Sequence, residues 1–597
     1  MCGFAGYVSK VGGITDVAVQ SLTQLGEMLF HRGPNDGGVR IGEHFAVVHR
    51  RLSIIDAAHG QQPMFTADGS LGLAYNGEIY NFKALQNELA GQGVEFLTDC
   101  DTEVLLALFQ RDGADCFKRL DGMFTAFIWD YRTSDEGEFH LVRDQLGIKP
   151  LYLYEDESQW VFSSELSPML NVRGLDLEVD SVGLASYFTY RYVTAPRTFF
   201  KRIRRVEAGC YVRIKDGLAT TWRYWELPED TGASPLSLED AAGELRSMLR
   251  HSVKQQQMSE VPVGLLLSGG LDSSAIASLC ADIGVSMTSF SIGFPDLNEF
   301  QYAEEVAVRF GLPHVAVETT PDEIINRFDR VVAAMDEPIA DPACFPLHIL
   351  CESIKSQVTV VLSGEGSDEM FAGYPQYALA MGSNQNRPQD RFDHFMASSW
   401  YFHGRRLPLN FPQDPSRSLL QKIYYDERAP LSGMLAFDQK TWLPENLMAK
   451  ADKILMSHSL EGRFPFLTTG IVEFAASLPD SLKMDAVGGK SVLRRAFSES
   501  LPPSVISRKK MGFSVPVSQL LERLKGRFRH LLESREGPFS EYIDYDQLID
   551  DFNDHFSGRR EQSLWLWTVL VLLQWQSGLG RSLQQAHETS MPIKVAV

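Results

Sequence analysis

Cys2 stands directly behind the initiator methionine in "MCGFAGYVSK". A small residue there lets the methionine be trimmed, and the thiol then lies close to its own α-amine. That amine has a pKa of about 7.7–8.0, so near pH 7 it can take the thiol's proton. Free cysteine is also among the most buried residue types, and the opening by itself favours that plainer reading. A second concentration of chemistry is "LLLSGGLDSS", with Ser268, Gly269, Gly270, Asp272, Ser273 and Ser274 where a strand hands over to a helix. Glycines let the backbone approach a ligand, and a helix N-terminus offers unpaired N–H groups to an anion. The hydroxyls add donors, and Asp272 is a hard oxygen ligand suited to Mg2+. This is not the GxxxxGK[ST] loop that grips β- and γ-phosphates. An ordinary strand-to-helix turn is rich in Gly and Ser as well; the full string, rather than its two glycines, points to a nucleotide.

Elements must position these groups. Up to about Tyr224, short apolar segments are broken by Gly, Asn and Asp, as in "HFAVVHRRLSIID", "SLGLAYNGEIYN", "MFTAFIWDY" and "GCYVRIKDG". Their alternation predicts a strand-rich, layered domain. "NFKALQNELAGQG" and "DTEVLLALFQRDGADCFKRL" have helical spacing and would cover a sheet. "ELPEDTGASPLS" reads as a linker. Beyond it, the apolar runs of "VPVGLLLSGG", "SMTSFSIGF" and "SQVTVVLSGEG" alternate with helical stretches. That order predicts a parallel sheet with ligands at the strands' carboxyl ends. From Arg391 onward the pattern is mostly helical. The expected organisation is a first domain over 2–224, a linker over 225–237, a second domain over 238–585 and a flexible tail over 586–597.

The 597 residues are 44% hydrophobic and 22% charged, a globular balance, with a net charge of −21 that argues against nucleic acid as the main partner. Seven scattered cysteines without a CxxC pair argue against a disulfide framework or a zinc site and for a reducing cytoplasm. No signal peptide precedes Cys2. The most apolar run, "LWLWTVLVLLQW", falls short of the ~20 residues of a spanning helix and predicts a buried one, so no membrane partner is expected.

"SGGLDSS" resembles the pyrophosphate loop of ATP pyrophosphatases, and "SGEGSDEMFAGY" resembles a second signature of their asparagine synthetase branch. The resemblance implies that Ser363 and Gly364 contact AMP and that Glu365 serves acyl-adenylate formation. It places Leu266 and Ile292 at the adenine pocket and gives Lys490 the role of neutralising pyrophosphate or an oxyanion. ATP and Mg2+ are implied, with Asp272 and Asp368 as candidate metal ligands. In the first half, "MCGFAGYVS", "HRGPNDGG", "HRRLSIID" and "YNGEIYN" follow the order of class II glutamine amidotransferases. That resemblance covers nearly the whole chain and reverses the plain reading of Cys2.

The implied fold is α/β with two domains: an αββα Ntn-hydrolase-type sandwich, then a doubly wound parallel-sheet ATP-pyrophosphatase domain with extra helices. Cys2 would attack glutamine's side-chain amide, with Asn76 and Gly77 as the oxyanion hole. Arg51, with Leu52 and Ile55 beside it, would hold glutamine's carboxylate, and Glu78 and Asp101 its amine. Residue types alone leave Arg50 against Arg51, and Asp99 against Asp101, open; the resemblance selects the second of each pair. Aspartate is the favoured acceptor, another carboxylic acid amidated by a tailoring enzyme is the alternative, and a non-catalytic relative is a third. A homodimer is compatible with the family. Asn35, Ala208, Cys210, Gly462, Phe464 and Thr468 depart from the usual strings, and Thr468 bears on the acceptor if its segment lies near that pocket.

Overall fold

The computed structural model describes residues 2–228, 236–382, 388–399, 401–402, 405–410, 430–508 and 514–588. Residues 229–235 of the expected linker and 589–597 of the expected tail lie outside them. The helix Ser563–Glu588 runs past residue 585, where the tail was expected to begin.

Two antiparallel six-stranded sheets build the first part of the chain. One has the order Ile203–Arg205, Tyr152–Glu155, Gln159–Ser163, Cys2–Ser9, Phe45–Arg51, Asp36–Ile41. The other has the order Leu218–Arg223, Cys210–Lys215, Glu138–Arg143, Gly122–Asp130, Leu71–Ile79, Met64–Phe65. Strand side chains alternate between faces, and here the alternation sorts them into layers. Phe4, Val8, Phe45, Val47, Ala74 and Phe127 meet between the sheets. Leu71, Leu73 and Tyr75 face the helices Phe82–Gly91 and Asp101–Asp112 instead. Ala5, Ala46 and Val48 face the helix Asp16–Met28. Helix, sheet, sheet and helix form the expected αββα sandwich.

The second part holds a five-stranded, wholly parallel sheet in the order His314–Glu318, Ser289–Gly293, Val263–Leu266, Val360–Leu362, Glu461–Arg463. The winding reverses between Val263–Leu266 and Val360–Leu362, and ligands bind beyond the carboxyl ends at such a point. "LLLSGGLDSS" and "SGEGSDE" leave these two strands side by side. The three-residue strand Glu461–Arg463 falls in the stretch expected to be helical, too short to show a period of its own. Trp565, Trp567 and Leu570 of the final apolar run are buried, and among the described residues no helix is long and apolar enough to cross a membrane.

Candidate active sites

Period two places the first site. Cys2 shares the face of Phe4 and Val8, Asn76 that of Ala74, and Arg51 that of Phe45 and Val47, so all three turn into the space between the sheets. Cys2 pairs directly with Arg51 across the strands. The Cys2 N–H donates to Asn76 Oδ1 at 2.9 Å, while the buried Asn76 Nδ2 has no partner among the described residues. A buried donor without a partner is costly unless a ligand satisfies it. Gly77 follows at φ +156°, where a Cβ would overlap Met123 O and stand 2.5 Å from Phe124 Cα; only glycine fits. Cys2, Arg51, Leu52, Ile55, Gly77, Glu78 and Asp101 all line one cleft.

The two open choices resolve by position. Arg51 is buried in the cleft, its guanidinium donating to Ile55 O, Asp56 O and Ala57 O at 2.7–3.1 Å. Arg50, one residue away and on the other face, donates to Gly26 O. Asp101 is buried, accepting from Tyr75 Oη at 2.8 Å and Ile79 N at 3.0 Å. Asp99 is exposed and pairs with Lys83.

Burial pushes the Cys2 thiol up; the terminal ammonium, the Leu52 N–H and Arg51 pull against it without overcoming it. The nucleophile therefore rests protonated and needs a base. Burial raises Glu78 well above the usual carboxylate range, with the charge of Glu461 adding to it. Burial raises Asp101 as well.

Residues from the second part of the chain close this cleft. Arg463 Nη2 lies 3.3 Å from Glu78, and its Nε donates to Glu461 at 2.6 Å. Arg32 is fully buried, donating through Nε to Cys2 O at 3.0 Å and through Nη1 to Glu165 and Asp452, both at 2.8 Å. Arg32 stood in the quoted "HRGPNDGG" and Arg463 in "SLEGRF", but nothing in their spacing marked them as parts of the thiol site.

At the second site, the helix Leu271–Asp282 begins at Gly270 with no side-chain cap, leaving its first N–H groups available. Ser268 is exposed at the loop mouth, its Oγ 3.1 Å from Ser273 Oγ. Ser274 faces inward, its hydroxyl buried in the core without a partner among the described residues, so its side chain is turned away from the loop mouth. The second loop packs on the first: a Cβ on Gly364 would stand 2.9 Å from Asp272 Cβ. Ser363 N donates to Arg463 O at 2.9 Å, and Leu266 and Ile292 are half-buried near their strand ends. Glu365 lies 3.4 Å from Lys450, which also reaches Asp341 at 3.3 Å. Lys490 Nζ sits 2.6 Å from both Asp272 oxygens and 2.7 Å from Asp368 Oδ1. A Cβ on Gly373 would overlap both Asp368 Oδ1 and Lys490 Cε, so this glycine of "FAGY" is also part of the site.

The structure gives surroundings to most of the departures from the family strings. Asn35 Oδ1 accepts from Ser53 N at 3.0 Å, which an aspartate oxygen would do equally. Cys210 opens a strand and is buried. Phe464 Cζ lies 3.0 Å from where a Cβ on Gly462 would be, so the small residue makes room for the large one. Thr468 is the N-cap of the helix Thr469–Ser477 but makes no side-chain capping bond. Asp121 caps it instead, from the first part of the chain, accepting from Thr469 N at 3.0 Å and Oγ1 at 2.7 Å. Nothing in the structure explains Ala208.

A buried thiol in an αββα sandwich, fused to a doubly wound sheet with paired strand-end loops, fits a glutamine amidotransferase joined to an ATP-dependent carbon–nitrogen ligase. Residues 1–225 match the glutamine amidotransferase domain model, and residues 244–577, more than half of the chain, match the asparagine synthase model. The chain belongs to the asparagine synthase family. It is 32% identical to asparagine synthetase [glutamine-hydrolyzing] 1 of Bacillus subtilis (strain 168), across 97% of this chain and 96% of that one. A putative asparagine synthetase [glutamine-hydrolyzing] of Mycobacterium tuberculosis (strain ATCC 25618 / H37Rv) is 31% identical, with 97% of each chain covered. Asparagine synthetase B of Escherichia coli (strain K12) is 29% identical over 82% of this chain and 78% of that one.

Proposed function

We propose that this enzyme activates the side-chain carboxylate of aspartate as an acyl-adenylate and converts it to the amide with ammonia taken from glutamine. The products are asparagine, AMP, pyrophosphate and glutamate. The observation that carries the reading is the cleft in which Cys2, Asn76, Arg51, Glu78 and Asp101 converge.

Glutamine's carboxylate lies against the Arg51 guanidinium, and its ammonium against Glu78 and Asp101, which burial holds ready to exchange a proton for that charge. The amine freed by methionine removal takes the thiol proton. The thiolate attacks the amide carbon, and the oxyanion accepts from Asn76 Nδ2 and Gly77 N. The C–N bond breaks as the leaving nitrogen takes that proton and departs as ammonia, and water then hydrolyses the thioester to glutamate.

At the second site, the acceptor carboxylate attacks the α-phosphorus of ATP and releases pyrophosphate. This turns a carboxylate oxygen that cannot leave into part of AMP. Uncapped N–H groups of the loop and Lys490 lie where charge develops on phosphate oxygens. Glu365, with Lys450 at 3.4 Å, serves acyl-adenylate formation. Asp272 and Asp368 already hold an ammonium between them, so the donor set fits a cation; bound Mg2+ would neutralise phosphate charge there. Ammonia attacks the adenylate carbonyl, and AMP leaves.

The test is pyrophosphate release with ATP, Mg2+, glutamine and a panel of carboxylic acids. Release dependent on aspartate supports the proposal. Release dependent on another acid transfers the same machinery to a different acceptor, and silence with every acid refutes adenylation.

A further inference from the structure

Lys490 is held in an unusual way. Its backbone sits at φ +62°, a left-handed conformation that costs a non-glycine residue energy and persists only where surroundings enforce it. They do so here: Lys490 N donates to Phe371 O at 2.7 Å, and a Cβ on the preceding Gly489 would stand 2.6 Å from the Ala372 carbonyl carbon. From this fixed backbone the side chain runs past Gly373 and places its ammonium between Asp272 and Asp368, largely screened from water. Three of its contacts to carboxylate oxygens fall at 2.6–2.7 Å, so one monovalent cation uses both carboxylates at once.

A divalent cation approaching these two aspartates meets a positive charge at contact distance and carboxylate oxygens already engaged. Coulomb repulsion at such a range in a partly buried site outweighs what one displaced water returns. The ammonium leaves at low cost only when another anion receives it, and the phosphates of a nucleotide are that anion. We propose that Lys490 is an internal counter-ion, which occupies the divalent-cation position in the nucleotide-free protein and yields it only when metal and nucleotide arrive together. The same side chain then lies against the phosphates it has moved to, so one displacement closes the site to free metal and arms it for the nucleotide. This rests on reading the loops as a metal–nucleotide site, and adds that metal binding is weakened without nucleotide.

The probe is Mn2+, followed by the loss of its free solution EPR signal with the full chain at pH 8. Without nucleotide, wild type takes up Mn2+ weakly, and Lys490→Met binds it at least about tenfold more tightly. Lys490→Arg, which keeps the charge, behaves like wild type. Adding Asp272→Asn to Lys490→Met removes the gained binding. With α,β-methylene-ATP present, wild type takes up Mn2+ as tightly as Lys490→Met does alone. Equal Mn2+ affinity of wild type and Lys490→Met without nucleotide overturns the counter-ion role. Failure of both proteins to bind Mn2+ even with the analogue overturns instead the metal–nucleotide reading. Should Lys490→Met not fold, as judged by circular dichroism, Lys490→Gln is read in the same way.

Discussion

The thiol cleft and the paired strand-end loops both gather acidic side chains, and they balance that charge differently. In the cleft, burial raises Glu78 and Asp101, and the cation beside Glu78 is Arg463, 3.3 Å away across the boundary between the two halves. At the loops, Asp272 and Asp368 close on Lys490 at 2.6–2.7 Å. Under the proposed function, the cleft would meet glutamine's ammonium with protons it can release, and the loops would meet an anionic nucleotide with a cation they can lend. The first arrangement suits a zwitterion entering alone, the second a metal–nucleotide pair.

The largest expected effect separates the two regions outright. Cys2→Ala removes the nucleophile, and glutamine-driven amide formation falls by at least about a thousandfold. Ammonia-driven formation at the loops stays near wild type, as both rates, read by pyrophosphate release, will show; an equal loss of both breaks the division of labour. Next comes Asn76→Ala. Asn76 Nδ2, buried and without a partner among the described residues, is the side-chain donor of the proposed oxyanion hole. Its loss lowers kcat for glutamine hydrolysis about a hundredfold to a thousandfold, with ammonia-driven turnover again the control. A loss confined to KM would mean that Asn76 binds substrate and transition state alike.

How much of this was legible beforehand differs between the regions for a physical reason. Cys2, Arg51, Asn76, Gly77 and Glu78 lie in strands whose side-chain period is two, whereas Leu52 and Ile55 follow a strand and Asp101 opens a helix. "MCGFAGYVS", "HRRLSIID" and "YNGEIYN" carried these residues through their resemblance to the family, and the strand period accounts for the choice of Arg51, since Arg50 turns to the other face. The counter-ion at the loops was not legible, because Asp272 and Lys490 lie 218 residues apart and Asp368 comes from a third segment between them. Arg32 and Arg463 were missed for the same reason: each is defined by a partner in the other half. The strand Glu461–Arg463 was missed because three residues between helices show no period. The meaning of Thr468 needed Asp121, and no spacing connects them.

A smaller effect tests the packing beneath the loops. Asp438 lies in the helix Pro430–Lys440, whose Gln439 donates to Glu369 O at 2.8 Å. Its carboxyl is buried with the hydroxyls of Tyr377 and Tyr401 at 2.6 and 2.9 Å, and burial pushes it up to about 7. In the unfolded chain it titrates near 3.9. Between these values the unfolded chain has lost a proton that the folded protein keeps, so stability falls as pH rises from about 4 to 7 and is level above. The span is at most about 4 kcal/mol. Asp438→Asn removes this slope. Its melting temperature relative to wild type should therefore be higher at pH 8 than at pH 5; no change in that difference would mean that Asp438 has a counter-charge.

The smallest effect bears on the join between the regions and, through it, on the acceptor. Asp121 supplies from one half the cap that Thr468 does not supply in the other. Asp121→Ala leaves the first N–H groups of Thr469–Ser477 without their acceptor, at a cost of about 1 kcal/mol. A helix cap is defined by geometry rather than by chain, so a carboxylate at residue 468 can replace one at residue 121. Thr468→Asp in the Asp121→Ala background should recover most of the lost stability in a urea melt. In the otherwise wild-type protein the same change sets two carboxylates at one helix end and should destabilise it. If the double variant instead recovers nothing while its preference among acceptor acids changes, Thr468 belongs to the acceptor pocket rather than to the cap. The proposal of aspartate would then have to be reargued from that pocket.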